Sequence, residues 1–206
     1  MTGAAGSPPP SAPVAPTAWR PCTRSRRTSA SRLTRGRLTE TEQRWVDETR
    51  RFWRFGSGYS LEQSTRPQTI GYGLVDSPVA LLTWVLDKFW AWTDHTGDVE
   101  TAVGRDRILD TVTLYWLSAT GASSARFYWE NFPANRAARP VDVPTAVTIF
   151  PGDMEKPPRP WVEQRFTNLT SWTEVERGGH FPMLEVPDLY AESLRHAFSG
   201  PQAGDA

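Results

Sequence analysis

The sequence has one cysteine, Cys22, among 206 residues. No intrachain disulfide can therefore form, and a reducing compartment such as the cytoplasm is compatible and expected. No apolar run approaches the ~20 residues that a membrane-crossing helix needs, so no span is expected. No secretory signal is expected either, because Ala and Pro stand where an apolar segment would be. Net charge is zero, which gives no general case for binding nucleic acid or an acidic membrane. Metal-ligand spacing is absent: His95, His180 and His196 are scattered and Cys22 is alone. Gly178-Gly179 is a pair of glycines and no phosphate cradle, so neither a metal nor any other cofactor is expected.

Acidic residues are missing altogether from positions 1–39, which hold seven Arg. The remainder carries 16 basic against 23 acidic groups, a net of −7, so a basic head precedes an acidic body. Residues 1–38 are Pro, Ser, Ala, Thr and Arg with almost nothing apolar to bury, and are expected to be disordered. A transit peptide or a basic nucleic-acid arm would share that composition. Pro8-Pro9-Pro10 opposes the first, and no aromatic-studded basic patch supports the second. The abrupt change at Leu38 is also what a misplaced start or a shifted reading frame produces. Hydrophobic residues make up only 38% of the chain, but 10 Trp supply large areas to bury.

Order is expected from Thr39, where Thr39-Glu40-Thr41-Glu42 spells a capping box before Trp45, Phe52 and Trp53. Gly56 and Gly58 stop that helix. Ser77 and Pro78 open a second, with a stripe of Val79, Leu82, Val85, Leu86 and Phe89. A third helical stretch runs from Asp106 to Trp116 and a fourth from Ser123 to Asn131. After Pro140 the pattern changes. Ala146 to Phe150 and Thr170 to Val175 read as strands, with short helices at Trp161–Phe166 and Pro187–Phe198. Alternating strand and helix imply a parallel α/β sheet. The expected division is a head at 1–38, a helical lid at 39–140, a sheet core at 141–200 and a tail at 201–206.

In an open parallel sheet, working groups sit on loops at the carboxyl ends of strands. Asp153 follows the first strand and His180 the second, 27 residues apart. That separation fits one helix crossover, so the two loops should emerge side by side. An Asp accepting from an imidazole fixes its tautomer and raises its basicity. A turn-forming Asp and a packed His would look the same in isolation.

The residues Arg177-Gly178-Gly179-His180-Phe181, with Glu185 and Pro187, resemble the histidine loop of microsomal-type epoxide hydrolases. The lid of that family is matched in order by Gly58-Tyr59, Thr65-Arg66-Pro67-Gln68-Thr69, Asp76-Ser77-Pro78-Val79 and Leu114-Tyr115-Trp116. Ser123-Ser124, Arg126-Phe127-Tyr128 and Glu130-Asn131 continue the match, and the likeness runs from Leu38 to Phe198. The resemblance implies a partial α/β-hydrolase fold: the last two parallel strands with flanking helices, plus a mainly helical lid. It implies opening of a small apolar epoxide to a diol through a hydroxyalkyl–enzyme ester. His180 would be the water-activating base, Asp153 its orienting acid, and Tyr59 and Tyr128 the pair that polarises the epoxide oxygen. Amphipathic packing in the lid would equally account for the two tyrosines.

The family's nucleophile is an Asp on a strand–elbow–helix upstream of the lid, and nothing upstream of Thr39 has that pattern. Asp76 is no substitute, since Ser77-Pro78 reads as a helix start. A missing N-terminal half or a second copy is thus expected to partner this chain, which alone should be inactive. A non-catalytic module that binds a partner or an apolar ligand is the alternative. Ser123, in Gly121-Ala122-Ser123-Ser124-Ala125, offers a distant serine-esterase reading if Val112–Leu117 were a strand.

Overall fold

The computed structural model describes residues 38–131 and 140–199. The expected disorder of the head, Cys22 and the tail lie outside the described residues.

The first helix, α1 (Glu40–Phe55), starts as its sequence dictates. Thr39 Oγ1 accepts the Glu42 N–H at 3.2 Å and Glu42 Oε2 accepts the Thr39 N–H at 2.8 Å. Two orphan donors are thereby satisfied, a stabilisation of about 1 kcal/mol. The other oxygen of Glu42 accepts the Arg159 N–H at 3.1 Å, so the cap also pins α1 to the sheet region. Although α1 falls in the span expected to form the lid, its Trp45 packs with Val147, Ile149 and Val162. It is a covering helix of the sheet.

Six helices follow: α2 (Gly58–Thr65), α3 (Pro67–Asp76), α4 (Pro78–Trp92), α5 (Val99–Val103), α6 (Arg105–Leu117) and α7 (Gly121–Asn131). Helices α2 and α3 fill the stretch between the expected first and second helices, for which the sequence pattern alone named no element. Ser77 caps α4 by accepting the Ala80 N–H at 3.2 Å, as expected. Val112–Leu117 lies within α6, which removes the strand that a serine elbow at Ser123 would require. Two apolar clusters hold these helices together. One joins Leu74, Leu81 and Val112; the other joins Phe89, Val99, Val103 and Ile108, with Phe181 and Leu184 packed against it. Helices α3 and α7 approach closely, and a Cβ at Gly121 would lie 2.8 Å from the Cβ of Leu74.

The remainder alternates: β1 (Thr145–Ile149), α8 (Arg159–Arg165), β2 (Leu169–Glu174), α9 (Pro182–Glu185) and α10 (Pro187–Phe198). The strands pair in parallel, with Val147 opposite Trp172 and Ile149 opposite Glu174. Side chains of β1 alternate between buried and half-buried, whereas β2 has no fully buried residue and α10 has none either. Among the described residues no single helix is long and apolar enough to cross a membrane. Helices α3 and α4 reach that length only together, across a bend of 116°.

Candidate functional site

Both strands end in loops on the same side, and the loops are stitched to each other. After β1 the chain turns at Pro151-Gly152, where the Asp153 N–H donates to the Phe150 carbonyl at 3.1 Å. Lys156, 8% exposed, folds back under this turn. Its Nζ donates to the carbonyls of Pro151 at 2.8 Å and Asp153 at 2.9 Å, and pairs with Glu48 of α1 at 3.1 Å. A buried cation needs such partners, and here they fix the backbone that carries the acid. The Gly152 N–H donates to the Gly178 carbonyl at 2.9 Å, joining the acid loop to the histidine loop.

Gly178 has φ +106°, a conformation that side chains rarely adopt. At Gly179 a Cβ would stand 2.6 Å from the Trp92 carbonyl oxygen, so no side chain fits there. These two positions turn His180 toward the acid. His180 Nδ1 lies 3.1 Å from Asp153 Oδ1, with the side chains 30% and 27% exposed. An ionised carboxylate only accepts, so Nδ1 carries the proton and donates it. In the neutral ring that arrangement leaves the lone pair on Nε2, the form a general base requires. Beside the pair opens a cavity of about 390 Å³, lined among others by Phe150, Asp153, Lys156, His180, Phe181 and Met183.

The two tyrosines are not part of that lining but stand in one chain of rings with it. Tyr59 and Tyr128 meet edge to face at 6.0 Å between ring centroids. Tyr59 packs on Trp92 at 5.0 Å, and Trp92 meets the His180 imidazole at 5.3 Å. The structure therefore brings Asp153 and His180 into contact and links Tyr59 and Tyr128 to them through Trp92, which sequence reasoning did not single out. Its only signal was its position at the end of α4, just before the Thr93-Asp94 break. Lys156 was missed too, since a lysine three residues past an acid carries no pattern of its own. Ser123 stays apart from this group: it sits in the first turn of α7 and its hydroxyl donates to the Thr120 carbonyl at 3.1 Å. The serine-esterase reading is thereby corrected. Asp76 closes α3. Among the described residues no Asp or Ser stands on a strand-to-helix elbow, and no three His, Cys, Asp or Glu side chains gather as a metal site.

No family model matches the chain. The chain is 46% identical to a putative epoxide hydrolase of Stigmatella aurantiaca over 161 residues, which cover 78% of this chain and 37% of that protein. The structure of Aspergillus niger epoxide hydrolase superposes with a TM-score of 0.69 at 32% identity, over 79% of this chain and 40% of that one. Over the stretch it shares with them, this chain belongs to the epoxide hydrolase family. Epoxide hydrolase 1 of Sus scrofa is 39% identical across 68% of the chain and 33% of its own length. Juvenile hormone epoxide hydrolase from the silkworm Bombyx mori superposes with a TM-score of 0.71 at 28% identity, over 79% and 42% of the two chains. The fold is accordingly part of an α/β-hydrolase, and the chain spans about a third of the length of the curated relatives it matches.

Proposed function

We propose that this chain carries the lid and the acid–histidine half of a site that hydrolyses apolar epoxides to vicinal diols. The observation that carries the reading is the 3.1 Å contact of His180 with Asp153, continued through Trp92 to the Tyr59–Tyr128 pair. In the proposed reaction a carboxylate nucleophile attacks one epoxide carbon, the C–O bond breaks, and the oxygen takes a proton from a phenol of the pair. A phenol with an ordinary pKa near 10 is protonated at neutral pH and can donate as an alkoxide develops. The product is a hydroxyalkyl ester. His180 Nε2 then accepts a proton from water, hydroxide adds to the ester carbonyl, and the diol leaves as the carboxylate is restored. The imidazolium formed on the way is stabilised by Asp153 and returns its proton, through water, to the phenolate left by the first step, which closes the cycle. No cofactor enters any step.

The nucleophile has to come from outside the described residues, either on a missing N-terminal half or on a partner chain. The test is styrene oxide turnover by this chain alone and mixed with the unmatched part of its Stigmatella relative. We expect diol only from the mixture, and its loss in His180→Ala. Diol from the chain alone that survives His180→Ala would refute the assignment.

A second reading, a non-catalytic module that binds a partner or an apolar ligand, draws on one observation: no nucleophile-bearing elbow stands among the described residues. Saturable epoxide binding without turnover in every mixture would favour it.

A further inference from the structure

Four consecutive amides carry the histidine loop, and each is held by the end of α4 or by a single glutamate. The Gly178 N–H donates to Asp94 Oδ2 at 3.0 Å. The Gly179 N–H donates to Glu185 Oε2 at 2.8 Å and the Phe181 N–H to Glu185 Oε1 at 2.8 Å. Between them the His180 N–H donates to the Trp92 carbonyl at 2.8 Å. Glu185 Oε2 also accepts the Asp94 N–H at 2.7 Å, from a residue 91 positions away. One carboxylate thus gathers three backbone donors from two separate segments. Hydrogen bonds to an ionised acceptor are about twice as strong as neutral ones. Space is cut to suit, since a Cβ at Gly179 would lie 2.8 Å from that same Glu185 oxygen.

We propose that Glu185 is a positioning residue: it clamps the histidine loop to the C-terminal end of α4 and so sets where His180 meets both Asp153 and Trp92. The inference rests on the reading of His180 as the water-activating base. The hydrogen bonds of Glu185 run to backbone amides and not to the His180 ring. It acts on the amides at either side of His180 and on Asp94, two residues past Trp92. Lid and base are held as one body, with the ring contact of Trp92 on His180 at 5.3 Å as its seam.

The test compares the full chain with Glu185→Ala and Glu185→Gln by amide hydrogen exchange and by long-range nitrogen–proton correlation of the His180 imidazole. In Glu185→Ala, exchange at Asp94, Gly179 and Phe181 should rise about 30-fold or more, as loss of charged hydrogen bonds implies. Amides of β1 in the same sample should stay near wild type. The imidazole should pass from the Nδ1–H tautomer to a mixture. Glu185→Gln keeps the shape but turns an amide group toward a donor, and should give an intermediate result. Unchanged exchange at the three amides overturns the proposal, and so does an unchanged tautomer once those amides are freed. If β1 exchange shows that the alanine variant has unfolded, the glutamine variant decides on the same two criteria.

Neither readout needs turnover. A mixture that makes no diol with His180 intact sinks the hydrolase reading and leaves this role standing. Full kcat with unchanged KM in Glu185→Ala does the reverse.

Discussion

The corner where α4 meets the two loop tips and the outer surfaces of α3, α4, α6 and α10 are built on opposite terms. At the corner, backbone amides, a buried lysine and two carboxylates leave each loop position specified. On the outer surfaces, Leu117 is 79% exposed and Phe198 56% exposed, and Leu114, Val79 and Tyr72 are also open. The contrast teaches that the local geometry of the site is encoded within this chain, whereas the cover for its outer faces is not among the described residues.

The largest expected effect that would test the contrast lies at the corner. In a turnover-competent mixture, His180→Ala should lower diol formation by about a thousandfold while leaving stability near wild type. A loss below tenfold would break the claim that the corner is where the chemistry sits. Next is Gly179→Ala, whose methyl meets the Trp92 carbonyl and the Asp94 amide. A loss of about 2 kcal/mol in urea unfolding is expected, with the tie between α4 and the histidine loop released. Smaller again is Thr39→Ala, which removes one half of the α1 capping box and should cost about 1 kcal/mol. Smallest is Phe198→Ser on the outer surface. It should change stability by less than about 0.5 kcal/mol, yet reduce self-association measured by light scattering. A stability loss at Phe198 as large as that at Gly179 would erase the distinction between the two regions.

Much of this arrangement was legible in the sequence because its signals are local. The capping box of α1, the Ser77-Pro78 start of α4 and the β-branched run of β1 each declare themselves within a few residues. Two strands separated by one crossover place Asp153 and His180 side by side, so the pair could be read from order and spacing. Helices α2 and α3 were hidden because Gly, Ser, Thr and Gln blur the apolar period, and their burial comes from α7, far along the chain. The helix expected over Asp106–Trp116 is present as α6, although Val112–Leu117 also admitted a strand: its β-branched and aromatic residues suit one, but packing of Val112 on Leu74 and Leu81 keeps it helical. Glu185 showed only as part of a family-like pattern. Its partner Asp94 comes from 91 residues upstream, and no local pattern reports a contact of that range.

The bond between His180 and Asp153 is the contact on which the chemistry at the corner depends most directly. Proton NMR of the chain, with nitrogen labelling at histidine, should show a hydrogen-bonded Nδ1–H on His180 that disappears in Asp153→Asn. An Nε2–H tautomer in the unmodified chain, or a spectrum indifferent to Asp153, would contradict it.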